Sequence, residues 1–414
     1  MLCQFILQNF KSYRDETVFD MQAANIKEFA DSLIPGPGQN FSPLLPVSVL
    51  YGPNGGGKSN LFEALSFLIS VVTAPIEASK NIGNPFGMIF SGGAQPFRLD
   101  DQSAEQPTNF EITFRTGLAQ YSYQISIRSG QILEESLYRI KVPCIRRREN
   151  LLFVRQGETI TVGTPLKRAN TKDINSSIPY FSFLAINYNF PEIMDAAQWF
   201  SNCCIINYST TDIDHRFSTF LNQPTIKKHT LQLLKNMDIP ISDYVLQELT
   251  GADGKKSTQV ETIHQVNGKN YHLSIEDESD GTCKILSILP AVITTLGMGG
   301  VLLVDELDSK LHPQLLRFLI KLYADPEVNS FHSQLIFTCH DISIMKNDIF
   351  RRDEIWFAAR NEESVSQIWS LYEIRDEKGA PVKNTAAYDK QYLEGRYGAD
   401  PYLRRMLDWR MDNG

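Results

Sequence analysis

Cysteine is scarce and scattered in this sequence: Cys3, Cys144, Cys203, Cys204, Cys283 and Cys339 form no Cys-x-x-Cys pair and stand at no zinc-finger spacing to a histidine. That pattern indicates neither a disulfide scaffold nor a structural zinc site, and reduced thiols are the expectation. Glycine and proline, 25 and 20 of 414 residues, are near average usage, so collagen-like and low-complexity architectures are excluded. Cationic excess is missing. The 40 Lys and Arg stand against 48 Asp and Glu, a net charge of −8, which argues against a surface coated with nucleic acid and leaves room only for a local basic patch. Met1 to Glu16 carries no apolar core behind a basic stretch, so no signal peptide is expected. Long uncharged runs are also rare, and one needs a membrane test: Ile285 to Val304, twenty residues. Pro290, Gly297, Gly299 and Gly300 interrupt it, and Asp305 and Glu306 follow at once. The reading is a helix, a glycine turn and a short buried strand, with no membrane partner and a cytoplasmic chain.

What is present suffices for real cores: 42% of residues are hydrophobic and 11% aromatic, in a length that allows two or three domains. Alternation over Cys3 to Leu7 and Thr17 to Met21 predicts a hairpin, and the apolar run Val47 to Tyr51 a buried strand. Leu61, Leu65 and Leu68, at three- and four-residue spacing, predict a helix over Asn60 to Val72. Period-two patterning from Phe110 to Val162, with turns at Thr116-Gly117 and Ser129-Gly130, predicts an antiparallel meander. Residues from about 175 to 250 read as helical, broken at Pro179, Pro191, Pro224 and Pro240, with no sustained heptads and hence no coiled-coil arm. Strands return from about Val260. A helix is expected over Pro313 to Tyr323, and strands at Gln334 to Thr338, Ile355 to Phe357 and Gln367 to Tyr372.

Between the expected strand and helix lies Gly52-Pro53-Asn54-Gly55-Gly56-Gly57-Lys58-Ser59, a P-loop pattern in its proper context. Its glycines let backbone N–H groups turn inward around phosphates, where side chains would block approach. Lys58 is placed to meet the β- and γ-phosphates, the Ser59 hydroxyl to join a Mg²⁺ shell, and the helix start to add its positive dipole end. The expected nucleotide-binding residues are therefore Gly52, Asn54, Gly55, Gly56, Gly57, Lys58, Ser59 and Asn60. Further on, Val301 to Val304 is an apolar strand ending in two carboxylates: Asp305 suits the metal shell with Ser59, and Glu306 suits polarisation of a water. A third apolar strand, Leu335 to Thr338, ends in Cys339-His340-Asp341. Glu278-Ser279-Asp280-Gly281-Thr282, read alone, is an acidic solvated turn.

Taken in order, the P-loop, Glu278-Ser279-Asp280-Gly281-Thr282, the Asp305-Glu306 strand followed by Leu307-Asp308-Ser309, and Thr338-Cys339-His340 resemble the ABC-type ATPases of the RecF, SMC and OLD branch. The run Asp305 to Pro313 and the segment Tyr392 to Pro401 are similar to AAA-type ATPases of bacterial abortive-infection and other anti-phage systems. The resemblance implies an α/β fold with a P-loop NTPase, ABC-ATPase-like core, an antiparallel β subdomain and a helical insertion. It implies ATP and Mg²⁺ as cofactors, catalysis by Glu306 with Lys58 and the switch residue His340, and Asp308 in a loop beside the nucleotide. Ser279 and Gly281 would reach the nucleotide held by a second copy, so an ATP-dependent homo-oligomer is implied, as is a separate nuclease or toxin effector. The function that follows is an ATP-hydrolysing sensor and regulatory subunit of an anti-phage defence complex. A RecF-like repair ATPase and a nucleotide-switched scaffold are the alternatives.

The motif halves sit at opposite ends of the chain, so residues 1–150 and 261–414 are expected to form one core, with 151–260 as a mainly helical excursion. Two weaker features remain. Between Arg139 and Arg168, eight cations (Arg139, Lys141, Arg146, Arg147, Arg148, Arg155, Lys167, Arg168) face only Glu149 and Glu158. Such a stretch suits a phosphate backbone, which keeps nucleic acid among the partners, although a solvated face is the simpler reading. Asn9 to Tyr13 resembles the family's N-terminal turn, with Lys11 near a phosphate. Gln95 and Gln124 both remain open as the glutamine of the Q-loop. The acidic pairs Asp100-Asp101, Asp212-Asp214 and Asp353-Glu354 read as solvated turns, so no nuclease centre is expected.

Overall fold

The computed structural model describes residues 1–80, 93–144, 147–207, 221–250, 256–376 and 378–399, without the side chains of 207, 247–250 and 256–259. Arg146, Asp212, Asp214 and the segment from Asp400 onward lie outside the described residues.

In chain order, Leu2–Gln8 (β1) and Thr17–Asp20 (β2) form the hairpin, and Val47–Tyr51 (β3) leads to Lys58–Lys80 (α1). Thr108–Arg115 (β4), Ala119–Arg128 (β5), Gln131–Lys141 (β6), Asn150–Gln156 (β7) and Thr159–Val162 (β8) make the meander. Tyr180–Asn187 (α2) and Pro191–Ser201 (α3) precede Cys203–Asn207 (β9), and Pro224–Asn236 (α4) precedes Asp243–Thr250 (β10), Lys256–Val266 (β11) and Lys269–Ser274 (β12). Asp280–Met298 (α5), Val301–Asp305 (β13), Pro313–Ala324 (α6), Gln334–Thr338 (β14), Ile355–Arg360 (β15), Ser366–Ser370 (β16) and Tyr388–Leu393 (α7) complete the set.

These strands build three sheets. The six-stranded one has the order β16-β15-β3-β14-β13-β9; its pairs are parallel except for the antiparallel edge strand β16. Parallel strands joined through helices must be covered on both faces, which is why β3, β13 and β14 read as unbroken apolar runs. Period two then sorts their side chains. Val47, Val49, Tyr51, Leu302, Val304, Leu335 and Phe337 enter one core with α5 and α6, whereas Leu50, Val301, Leu303 and Ile336 enter the other with α1. That second core is closed by the seven-stranded antiparallel sheet β2-β1-β4-β5-β6-β7-β8. The third sheet, β10-β11-β12, is small and antiparallel.

The α/β class and the antiparallel subdomain thus stand as expected, while the division of the chain is corrected at 150 and 260. β7 and β8 extend the meander past residue 150, with Leu152 and Phe153 buried in its core, and β9 is an edge strand of the parallel sheet. Among the described residues, α2, α3 and α4 are the α-helices with given bounds in 151–260, and α2 and α3 lie against α1. Pro191 and Pro224 begin helices, where a missing N–H costs nothing. Gly299, at φ 70°, ends α5 in the left-handed conformation, so helix, turn and strand replace the membrane span. Both α1 and α5 are long and apolar enough to cross a membrane, and both bury most of their apolar stretch in the fold.

Asp353 and Glu354 are not a solvated turn. Both are buried: Arg351 donates Nε and Nη2 to the Asp353 carboxylate at 2.9 and 2.8 Å, and its backbone N–H donates to Glu354 Oε2 at 2.9 Å. Burial pushes the Glu354 carboxyl up to about 8, only partly countered by that hydrogen bond. The sign of the consequence is fixed. Below the usual 4.5 the group is protonated in folded and unfolded chains alike; above it the unfolded chain ionises first, so this residue's contribution to stability falls until about pH 8. Comparing Tm against pH for wild type and Glu354→Gln should show a steeper decline in wild type between pH 5 and 8, the gap amounting to on the order of a few kcal/mol. Parallel curves would remove the assignment.

Candidate functional site

The carboxyl ends of parallel strands are where such sheets leave a crevice. Here β3 ends in the loop Gly52–Gly57, β13 in Asp305-Glu306 and β14 in Cys339-His340, and the order β3-β14-β13 brings the three ends side by side. The loop is shaped by close approach. A Cβ on Gly52, whose φ is 147°, would lie 2.0 Å from the Ala358 carbonyl oxygen, and one on Gly57, at φ 113°, 2.4 Å from Ser366 Oγ. Gly52→Ala therefore has to push β15 off the loop. The expected result is a loss of about 1–3 kcal/mol of stability, together with weakened nucleotide binding, read by thermal melting and ATP titration. Gly55 and Asn54 are exposed at the loop's crest, and Gly56 is packed against the Ala358 carbonyl.

Lys58 is buried at the start of α1, with Nζ donating to the carbonyls of Gly52 at 2.7 Å and Pro53 at 3.2 Å. Burial lowers its pKa, and the charges of Asp305, Glu306 and Asp308 work against that lowering. The ammonium therefore stands in the field of the very carboxylates that the sequence singles out. Asp305 is buried and accepts from the Thr338 hydroxyl at 2.6 Å, while that same hydroxyl oxygen accepts the Glu306 N–H at 2.7 Å. Glu306 sits at φ 55°, so the chain kinks directly after the strand, and the residue is half-buried there. Asp308 accepts from the backbone N–H groups of His340 and Asp341, both at 2.9 Å, which ties the loop after β13 to the end of β14. The His340 ring is exposed at that junction.

A hydroxyl (Ser59), a buried carboxylate (Asp305) and a glycine cradle that a Cβ would fill form a hard-oxygen and N–H set that fits a phosphate chain with Mg²⁺. Asn60 donates to Ser12 Oγ at 2.7 Å, and Ser366 donates to the same oxygen at 2.8 Å. These contacts join the N-terminal turn to the P-loop, where the Tyr13 hydroxyl also donates to the Gly57 carbonyl at 3.1 Å. Lys11, Ser12, Asn60, Gln95, Arg98 and Arg360 line a cleft of about 320 Å³. Lys11 is paired with Glu63 there. Gln95 thus lies beside the loop. Gln124 does not: it belongs to β5, donating to Glu111 at 2.9 Å and accepting from Ser136.

The segment Glu278 to Thr282 is a shaped turn rather than a solvated one. Ser279 caps α5, accepting the Thr282 N–H at 3.2 Å, and is exposed. Glu278 points the other way, accepting from Thr262 Oγ1 at 2.5 Å and lying 2.7 Å from His264 Nε2 on β11. Gly281 approaches the loop after β13: a Cβ there would stand 3.0 Å from the Lys310 carbonyl oxygen. Ser279 and Gly281 therefore adjoin Asp308's loop, and the described hydrogen bonds link neither to the P-loop.

Part of the basic stretch is consumed within the fold. Arg139 pairs with Glu192 at 3.0 Å, Arg155 is buried and donates to the carbonyls of Gly157, Ile174, Asn175 and Ile178, and Arg147 lies over the Phe41 ring. Two contributors escaped the sequence reading. Thr338, which bridges Asp305 and Glu306, looks like any strand residue. Lys284 is a single cation in an otherwise apolar helix, buried, with Nζ donating to the Glu306 carbonyl at 2.7 Å.

Comparison with known proteins adds a family. The sequence profile described as "AAA domain, putative AbiEii toxin, Type IV TA system" matches residues 47–346. No curated protein matches the chain. Among solved structures, an SMC head bound to the C-terminal winged-helix domain of ScpA is 14% identical, covering 89% of this chain and 97% of its own, with a TM-score of 0.46. The SMC head domain from Thermotoga maritima is also 14% identical, with 89% and 98% coverage and a TM-score of 0.40.

Proposed function

Since this chain belongs to the AAA-domain family whose profile spans residues 47–346, we propose that it binds Mg²⁺–ATP at the P-loop and hydrolyses it between two copies of itself. The observation that carries the reading is the convergence of Lys58, after β3, with Asp305, Glu306 and Asp308, at and after the end of β13, across the intervening β14, with Lys58 in the field of all three carboxylates. Phosphoanhydride hydrolysis needs chiefly positioning and charge neutralisation. Lys58 and the loop N–H groups hold the phosphates. Ser59 and Asp305 would hold Mg²⁺, which when bound neutralises phosphate charge. Glu306 accepts a proton from the attacking water, and Thr338 fixes the two acidic residues relative to each other. The exposed Ser279, at the start of α5 and outside its own chain's P-loop, is available to a second copy, as is Gly281, while the exposed His340 serves with Glu306 and Lys58 as the switch residue.

The regulatory reading draws on the family's description only for a two-protein system. Its mention of a toxin–antitoxin system supports a chain that works beside a second protein, and we assign this one the sensing and switching role in an anti-phage pair with a separate nuclease or toxin effector, in the cytoplasm. Consumption of Arg139 and Arg155 within the fold weighs against the repair-ATPase alternative. The test is phosphate release by the purified chain with and without Mg²⁺, with duplex DNA, and with the product of the adjacent gene. Mg²⁺-dependent release altered by that product but not by DNA supports the proposal. Release stimulated only by DNA favours repair, and no release at all leaves the scaffold.

A further inference from the structure

A lysine in the buried stretch of α5 has no packing reason to be there. Lys284 is 6% exposed and sits among Ile285, Leu286, Ile288 and Leu289, where a methionine would fill the same volume without desolvating a charge. Its position is explained by what it touches. Nζ donates to the Glu306 carbonyl at 2.7 Å, and that oxygen also accepts the Ser309 N–H at 3.2 Å. Asp308 and Glu306 are the strongest charges acting to hold its proton, and Asp308 Oδ1 is buried there without a hydrogen-bond partner. A buried carboxylate oxygen in that condition needs a nearby cation. The same helix meets the same loop at Gly281, close against the Lys310 carbonyl, and again through the exposed pair Lys310–Asp280 at 3.1 Å.

We propose that Lys284 is a positioning residue for hydrolysis, clamping the loop Glu306–Leu311 to α5 so that seating Ser279 and Gly281 on a second copy's nucleotide sets the aim of this chain's own Glu306. The proposal rests on the composite ATP site of the preceding section. α5 begins at the surface offered to the other copy, and Lys284, five residues after the cap Ser279, grips the Glu306 carbonyl. With Glu306 at φ 55°, a conformation that non-glycine residues adopt sparingly, the kink needs such an external hold. Burial pushes the Lys284 ammonium down to about 8, the mark of a charge kept at a cost to stability.

Lys284→Met removes charge and donor at nearly constant volume but leaves the buried Asp308 carboxylate without its cation, so a lower Tm should accompany the readouts below and Lys284→Arg should restore it. Two readouts separate this inference from the function it rests on. The first is the split between binding and turnover: kcat should fall roughly 10- to 100-fold with the Kd for ATP within about threefold, and Lys284→Arg, which keeps charge and donor, should recover most of the loss. The second needs no turnover. Amide exchange at Ser309 and Leu311, whose N–H groups close the loop on Glu306 and Asp308, should be about tenfold faster in Lys284→Met. Unchanged exchange, wild-type kcat, or a loss of ATP affinity equal to the loss of kcat would overturn the inference. A wild-type chain that binds but never hydrolyses ATP would instead sink the proposed function, while the exchange experiment would still report on the clamp.

Discussion

Replacing Glu306 by Gln is expected to leave ATP bound and turnover reduced roughly 10²- to 10⁴-fold, the range supplied by a single general base. The amide keeps the size and the polar contacts of the carboxylate but cannot take a proton from water. The backbone hold on the residue is unaffected, since Thr338 and Lys284 grip the Glu306 N–H and carbonyl rather than its side chain. With hydrolysis stopped, ATP-held pairs of chains should accumulate, and size-exclusion chromatography with light scattering in Mg²⁺–ATP will show them. Turnover by Glu306→Gln at the wild-type rate would remove Glu306 from the chemistry.

Lys58→Ala is expected to act one step earlier, on binding. The lysine ammonium is the cation at the mouth of the loop, and truncating one partner of a charge-assisted contact costs about 3 kcal/mol, on the order of a hundredfold in Kd. Because Lys58 also donates to the carbonyls of Gly52 and Pro53, the truncation loosens the loop itself, and a modest fall in Tm should accompany the lost affinity. Calorimetric titration with ATP distinguishes the variants: Glu306→Gln keeps the wild-type Kd and Lys58→Ala raises it on the order of a hundredfold. An unchanged Kd in Lys58→Ala would place the nucleotide elsewhere.

Much of this site can be read from the sequence because it is built on short, fully buried parallel strands. Val47–Tyr51 and Gln334–Thr338 match their expected bounds residue for residue, since an apolar run between turn residues has one way to sit in a covered sheet. Lys58, Ser59, Asp305, Glu306 and Asp308 then follow from where those strands stop. Tertiary bonds without a local signal are what remained hidden. Thr338 is distinguished only by what lies across the sheet from it, and Lys284 only by the loop it faces. The basic run Arg139 to Arg168 overstates the free charge for the opposite reason: a linear count cannot see Glu192, which pairs Arg139, or the carbonyls that fold around Arg155. The cuts at 150 and 260 fall within β7 and β11, and the stretch between them is no single excursion because β9 returns to the parallel sheet after two helices, a connection that periodicity does not reveal.

The composite site is tested most directly by phosphate release per chain, measured over a wide range of chain concentration at saturating Mg²⁺–ATP. If Ser279 of one copy completes the site of the other, specific turnover rises with concentration and levels off where the pair is fully formed, and Ser279→Ala binds ATP normally yet loses the rise. Specific turnover that stays constant at concentrations where the chain sediments as a monomer would contradict it.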